Sequence, residues 1–235
     1  MPSKTVNATS AYFNKNWQRY QIMVSSNTLY NREMLSALQQ FLSANFGDKA
    51  FSFVDVGCGD ASTVVQILSK TAISKYIGID EAEDVLKMAA NTLAHLDCKK
   101  EFIADNMITA IPRLSEPVDI IFTSYTVHFL ALKDKIDFIA NCKAQLKSHG
   151  FLIMIDGIRQ GNQTRDEWLD ALQARMKATI PAITAAELAN RMEYPRVDDF
   201  PESIKTFEKV AQQQNWENFQ IIVDKEIFAF MLFSK

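Results

Sequence analysis

The feature that most constrains this fold is an apolar run that ends beside an acid and then passes two glycines. Phe51 to Val56 is rich in aromatic and β-branched residues, which favours a buried parallel strand. Gly57 and Gly59 follow it, and Ser62 to Leu68 has a helical pattern. This order predicts an α/β sheet with a ligand-binding edge where the strand ends, because glycine lets a ligand approach the backbone and the next helix begins with unpaired amides.

Two acids flank the glycines and bear on which cofactor the turn can hold. Asp55 and Asp60 would repel a pyrophosphate, whereas they suit a cationic amino-acid cofactor. A dinucleotide fingerprint, G-x-G-x-x-G, would also require a third glycine where Ser62 stands. The pattern therefore disfavours a nicotinamide dinucleotide.

The turn resembles the first motif of the class I S-adenosylmethionine-dependent methyltransferases, an acid followed by x-Gly-x-Gly after strand one. Asp55, Gly57 and Gly59 match this motif, with Cys58 and Asp60 in the same turn. The resemblance implies that these five residues hold the methionine end of S-adenosylmethionine.

Later strand ends extend the resemblance over about residues 30 to 156 and the final strands. It implies that Asp80, at the end of the second strand, binds the ribose hydroxyls. It also implies that Asp105, after the third strand, accepts a hydrogen bond from the adenine amino group and that the next residue lines the adenine ring. The end of the fourth strand is expected to face the methyl group. The further cofactor residues expected at these strand ends are Asp80, Glu81, Asp105, Asn106, Met107 and Ser124.

The implied fold is α/β: a Rossmann-like, doubly wound, seven-stranded sheet, mostly parallel with strand seven antiparallel, in one domain over residues 1–235. The last two strands are expected on either side of a tight turn at Asp224 and Lys225. Asp80 alone could instead cap a helix over Glu81 to Ala90.

Two segments outside the sheet are expected to cover the site. Residues 1–30 hold several aromatic side chains. In the family that the chain resembles such a segment often forms a lid, so the resemblance implies an N-terminal lid that brings Tyr20 to the cofactor; the alternative is that these rings only cap the core. Residues 157–214, between strands five and six, form a longer helical segment than a crossover needs, which predicts a helical lid over a small acceptor pocket. Pro195 is the expected hinge in that segment.

The catalytic candidates are His128 and Tyr125, just beyond the fourth strand. An imidazole titrates near neutral pH, so His128 could be a general base, or it could be a packed structural histidine. Asp156 and Arg159 could orient a charged acceptor, or could be a turn residue and a solvated cation. Methyltransferases of nucleobase amines carry Asn or Asp followed by Pro-Pro-Tyr or Pro-Pro-Phe where this chain has 123–126 Thr-Ser-Tyr-Thr, which disfavours that acceptor.

Composition is that of an ordinary enzyme domain. The 235 residues carry a net charge of −3 without any run of Lys or Arg, which gives no nucleic-acid footprint. Three cysteines without metal-ligand spacing fit a reducing compartment and no metal site. No apolar run is long enough to span a bilayer. We therefore expect a cytoplasmic monomer or homodimer without nucleic-acid or membrane partners.

The sequence thus predicts an S-adenosylmethionine-dependent methyltransferase that acts at an oxygen or nitrogen of a small molecule. Two alternatives remain open at this level: a non-catalytic S-adenosylmethionine-binding partner or sensor, and, less favoured, a nicotinamide-dependent oxidoreductase.

Overall fold

The computed structural model describes residues 20–235, and one sheet lies at its centre. Seven strands are hydrogen-bonded in the order β3-β2-β1-β4-β5-β8-β7, and a two-residue strand, β6, pairs with the end of β5. The strands are β1 (Phe51–Val56), β2 (Ile73–Asp80), β3 (Lys99–Ala104), β4 (Val118–Ser124), β5 (Leu146–Arg159), β6 (Glu202–Ser203), β7 (Asn218–Lys225) and β8 (Phe228–Ser234).

Helices cover both faces of this sheet. Residues 20–25 are helical, and the helices after them are α1 (Asn31–Asn45), α2 (Val65–Leu68), α3 (Glu83–Thr92), α4 (Met107–Ala110), α5 (Leu132–Gln145), α6 (Arg165–Thr179), α7 (Ala185–Asp198) and α8 (Ile204–Gln213). None of the helices in the described part of the chain has the length and apolar character needed to cross a bilayer.

The sheet confirms the predicted fold class. Strands β1 to β5 pair in parallel, and β8 runs antiparallel to both β5 and β7. The strand order reverses between β1 and β4, so the carboxyl ends of the parallel strands meet at one edge around that switch point. Open α/β sheets bind ligands at such a point.

The alternation of side chains along β1 shows how the core is built. Phe51 and Phe53 lie on the face that packs against α1 and α6, whereas Val54 and Val56 lie on the face that packs against α5 and α8. All six residues of β1 are buried, as expected for a strand covered by helices on both sides.

Three expectations about local structure were wrong. The turn between β7 and β8 lies at Glu226 and Ile227, because Lys225 still pairs with Phe228 in the ladder. The helix after the glycine turn begins at Val65 rather than Ser62, and its four residues are too few to provide the helix N-terminus expected beneath a cofactor. Pro195 lies inside α7 and is not a hinge between elements.

Candidate active site

A cavity of about 520 Å³ opens at the carboxyl edge of the sheet, beneath α6 and α7. The structure brings all fourteen sequence-predicted site residues to its wall. They are Tyr20, Asp55, Gly57, Cys58, Gly59, Asp60, Asp80, Glu81, Asp105, Asn106, Met107, Ser124, Tyr125 and His128.

The two glycines of the turn after β1 differ in the space around them. Both have left-handed backbones, with φ of 68° at Gly57 and 53° at Gly59. A Cβ on Gly57 would lie 2.5 Å from Oγ1 of Thr126, so the turn packs against the segment after β4. A Cβ on Gly59 would meet nothing within 4 Å. Gly59 therefore leaves open space in the cavity wall, where a ligand can approach the backbone.

Asp55 is a buried carboxylate beside this turn. The Tyr76 hydroxyl donates to Oδ2 of Asp55 at 2.9 Å. Burial raises the pKa of Asp55 to about 7, although the Tyr76 hydrogen bond opposes the shift and the neighbouring Asp80 adds to it. A cation bound nearby would favour the charged form of this side chain.

Asp80 ties the glycine turn to the end of β2. Its Oδ2 accepts from the Gly59 amide at 3.0 Å, and its Oδ1 accepts from the Ala82 amide at 2.9 Å. Burial raises the pKa of Asp80 even though these backbone donors lower it. The helix that Asp80 could have capped begins at Glu83 instead, with Ala82 as its N-cap. Asp80 is thus held in place as a carboxylate on the cavity wall.

The end of β3 carries a group of polar side chains that hold one another. Asp105 accepts from the Asn106 amide at 2.7 Å and forms an ion pair with Arg113. Asn106 caps α4 by accepting from the Ile108 amide, and its Nδ2 donates to Glu81. The sequence did not predict this capping role for Asn106.

Tyr20 stands on the wall that faces the glycine turn. Burial raises the pKa of its hydroxyl, hydrogen bonding to Thr63 lowers it, and the charges of Asp60 and Asp55 add to the rise, so that the net pKa is about 12. This hydroxyl therefore remains a neutral hydrogen-bonding group. The remainder of the predicted N-terminal lid, residues 1–19, lies outside the described residues.

His128 is fixed by a carboxylate from the end of β5. Asp156 Oδ1 pairs with Nδ1 of His128 and accepts from the Gly157 amide, while Oδ2 accepts from the amides of Val127 and His128 at 2.7 and 3.1 Å. Because three backbone amides hold Asp156, the imidazole has one orientation, with Nδ1 toward Asp156. The structure thus gives Asp156 a positioning role rather than a direct contact with an acceptor.

The other ring nitrogen of His128 lies 3.6 Å from Asp199 Oδ1. Burial lowers the pKa of His128, but the charges of Asp156 and Asp199 and the bond to Asp156 outweigh burial, so the net pKa is raised. Lys135 opposes this shift. Asp199 comes from the C-terminal cap of α7, seventy-one residues after His128, and no local sequence signal identified it.

Two other candidates, Tyr125 and Arg159, have polar groups that are bonded to the protein and not directed at an acceptor. The Tyr125 hydroxyl donates to the carbonyl of Leu29 at 2.7 Å, and burial raises its pKa well above the ordinary value. Arg159 forms an ion pair with Glu202 and donates to the Pro201 carbonyl at 2.9 Å. Arg159 therefore joins β5 to β6.

The roof of the cavity is mainly apolar and aromatic, and the sequence pointed to its segment without identifying the residues. Helices α6 and α7, strand β8 and the segment after β4 contribute these side chains. Gly157 permits this packing, because a Cβ there would lie 2.7 Å from Trp168. These residues are Phe129, Trp168, Leu172, Met176, Tyr194 and Phe228.

Comparison with known proteins agrees with this architecture. Residues 53–150 match the family model described as a methyltransferase domain. The chain is 26% identical over 146 residues to a carboxy-S-adenosyl-L-methionine synthase of Campylobacter hominis, which covers 60% of this chain and 59% of that protein. It is 25% identical over 144 residues to the uncharacterized methyltransferase YrrT of Halobacillus halophilus, which covers 61% of this chain and 64% of that protein. The chain thus spans about three fifths of the length of each of these two relatives.

Solved structures share the fold over nearly the whole chain. The magnesium protoporphyrin IX methyltransferase ChlM of Synechocystis PCC 6803, with bound SAH, has a TM-score of 0.67 at 10% identity and covers 97% of this chain and 99% of that chain. The plantazolicin methyltransferase BamL has a TM-score of 0.64 at 15% identity and covers 93% of this chain and 91% of that chain. At such identities the likeness shows a common fold.

Proposed function

We propose that the chain is a class I S-adenosylmethionine-dependent methyltransferase and that it transfers a methyl group from S-adenosylmethionine to an oxygen or nitrogen of a small-molecule acceptor. The match of residues 53–150 to a methyltransferase domain supports the proposal. One observation carries the proposal: a single cavity joins the glycine turn and acidic strand ends to a buried histidine held by a carboxylate. A binding protein or sensor would need only the glycine turn and the acidic strand ends, which are the cofactor half of this cavity. The oriented His128 therefore favours catalysis.

The residues at the cofactor half fit a cationic adenosyl compound. Gly59 leaves room above the backbone, and Asp80 is fixed by two amides on the cavity wall. Asp55 and Asp60 would favour the positive charges of the methionine end. When bound, S-adenosylmethionine supplies a methyl group carried on a positively charged sulfur.

His128 is the proposed proton acceptor. With Nδ1 turned to Asp156, Nε2 is the nitrogen that is left for an acceptor in the cavity. An acceptor hydroxyl or protonated amine must lose a proton to become a good nucleophile, and Nε2 can take it. The Asp156 carboxylate stabilises the imidazolium that results.

The walls of the cavity support a small acceptor. Helices α6 and α7 contribute Trp168 and Tyr194 above the strand ends, so the site is a lined cavity instead of an open groove. The relatives named carboxy-S-adenosyl-L-methionine synthases suggest a second candidate, formation of a carboxylated S-adenosylmethionine. That reaction uses a carboxylate-bearing reactant, and Arg191 is the cationic side chain besides His128 that lines the cavity within the described residues.

Calorimetry with S-adenosylmethionine and S-adenosylhomocysteine tests the cofactor half. We expect both to bind the wild-type protein with micromolar Kd, and Asp80→Asn to weaken both at least about tenfold because the ribose hydroxyls lose a charged acceptor. Asp97→Asn, an exposed acid outside the cavity, is the matched control. Failure of the folded wild-type protein to bind either compound would overturn the proposed function.

Replacement of the histidine tests the proton acceptor. With an acceptor found among phenols and amines, we expect His128→Gln to lower kcat by about 10²-fold or more while the affinity for S-adenosylhomocysteine stays the same. The wild-type rate should rise with pH through the raised pKa of His128, because only neutral imidazole accepts a proton. His95→Gln, on an exposed histidine, is the control. Full turnover and an unchanged pH profile in His128→Gln would exclude the role.

A further inference from the structure

Asp199, on the cavity wall, has a buried carboxylate oxygen that no hydrogen bond from the described residues satisfies. The residue is 5% exposed, lines the cavity and caps the C-terminus of α7. Its Oδ1 has no hydrogen-bond partner within the described residues. The 3.6 Å to His128 Nε2 exceeds a hydrogen bond. Because buried carboxylate oxygens are normally paired, this oxygen is available to a donor that the ligand brings.

The Lys and Arg side chains near Asp199 donate to backbone carbonyls and not to its carboxylate. Lys135 of α5 donates to the carbonyls of Leu130 and Phe200. Arg165 of α6 donates to the backbone carbonyl of Asp199 at 2.6 Å and to those of Pro195 and Arg196. Within the described residues, the Lys135 ammonium and the Arg165 guanidinium therefore do not form an ion pair with the Asp199 carboxylate.

Aromatic rings surround this pair of groups. The ring of Phe129 lies 4.1 Å from that of His128 and 5.4 Å from that of Tyr194. Trp168 packs edge to face with Phe228 at 6.1 Å across the roof. The part of the cavity next to His128 and Asp199 is therefore suited to a flat apolar body with one polar end.

The charge of the cavity opposes an acidic acceptor. Six carboxylic side chains line it, against Arg191 and His128 as the cationic side chains among the described residues. The six are Asp55, Asp60, Asp80, Glu81, Asp105 and Asp199. An acceptor carboxylate placed at Asp199 would meet a like charge at short range in a low-dielectric site.

We propose that Asp199 recognises the acceptor: its carboxylate accepts the hydrogen bond of a hydroxyl or N–H of an uncharged aromatic acceptor when the acceptor binds. That donor lies beside Nε2 of His128, 3.6 Å from Asp199 Oδ1, and turns from Asp199 to Nε2 for its proton to be removed. This inference deepens the proposed function and rests on it. Asp199 then selects hydroxylated aromatic compounds over their methyl ethers, which lack the donor, and over aromatic carboxylates, which carry the wrong charge.

Three matched probes test the selection: 2-naphthol, 2-methoxynaphthalene and 2-naphthoate. Their binding to the wild-type complex with S-adenosylhomocysteine is measured by ligand-observed NMR and calorimetry. We expect 2-naphthol to bind at least about tenfold more tightly than the other two compounds. Equal binding of all three, or tighter binding of 2-naphthoate, would overturn the proposal; the latter would support the carboxylate-bearing reactant instead.

The variant Asp199→Asn separates charge from packing. We expect it to reduce the preference for 2-naphthol over 2-naphthoate at least about tenfold and to lower the pKa of His128, measured from its imidazole NMR signals, because Asp199 raises that pKa. Asp198→Asn, the neighbouring acid outside the cavity wall, should change neither quantity. An unchanged preference in Asp199→Asn would overturn the proposal.

The affinity for S-adenosylhomocysteine distinguishes this inference from the proposed function. It is measured first, in the wild-type protein and in both variants. Normal binding of S-adenosylhomocysteine without discrimination among the probes overturns the role of Asp199 and leaves the cofactor site intact. Absence of S-adenosylhomocysteine binding in the folded wild-type protein overturns the proposed function, and the role of Asp199 with it.

Discussion

Each strand-end acid is bound to a different partner, and these partners give each acid its own chemistry. Asp80 is held by two amides, Asp105 by an amide and Arg113, and Asp55 by the Tyr76 hydroxyl. The ionised form of Asp55 is the least stabilised of the three, because this buried side chain receives a hydrogen bond from one neutral donor. This explains why burial can raise its pKa to about 7.

Asp55 is expected to make stability depend on pH. The folded protein keeps the Asp55 proton up to about pH 7, whereas the unfolded chain loses it near 3.8, so the unfolding free energy falls as pH rises through this interval. Asp55→Asn removes this contribution. We expect the variant to be more stable than the wild type by about 1 to 2 kcal/mol at about pH 5 and by about 4 kcal/mol at about pH 8.

Urea unfolding at the two pH values measures the Asp55 effect. Asp97→Asn controls for the loss of one negative charge at an exposed position. If the difference in unfolding free energy between Asp55→Asn and wild type is the same at both pH values, Asp55 is not the group responsible.

At the scale of elements, the strands were predictable and the turns were less so. The aromatic and β-branched run of β1 specifies a buried strand, because both faces of a central strand are covered. The residues after Gly59 were misassigned because Asp60 Oδ1 accepts from the amide and hydroxyl of Ser62, which extends the turn and delays α2. Side-chain bonds of this kind compete with the helix and leave no periodic signal.

Three alanine substitutions separate the roles of the left-handed glycines. Gly57, Gly59 and Gly161 all have positive φ, and only at Gly57 would a Cβ meet a neighbour, Thr126. We expect Gly59→Ala and Gly161→Ala each to lower the unfolding free energy by about 1 to 2 kcal/mol, and Gly57→Ala by about 2 to 4 kcal/mol because of the added overlap.

Calorimetry with S-adenosylhomocysteine completes the glycine comparison. Gly59→Ala should weaken binding because its new methyl group enters the open space in the wall, while Gly161→Ala, outside the cavity, should bind normally. Wild-type affinity in Gly59→Ala would contradict the assignment of this space to the cofactor.

At the scale of the whole molecule, distant segments complete the site. Helices α6 and α7 follow β5 in sequence and return over the strand ends, where they add Trp168 and Asp199 to the cavity. Helix α6 also holds the segment before α1, since Arg175 donates to the carbonyls of Thr28 and Asn27. Of the helical lid predicted over residues 157–214, α6 and α7 line the cavity, whereas α8 packs against the other face of the sheet with Val54 and Val56.

The sequence by itself determined the sheet, its parallel strands and the acids at their ends, because strand patterns and glycine turns are local and the carboxyl ends of parallel strands must share one edge. Only the tertiary structure decided that Asp156 orients His128 and that Asp199 faces it with an unpaired oxygen. These residues are separated by 28 and 71 positions from His128, and contacts across such distances depend on how α7 and β5 pack, which no short sequence pattern encodes.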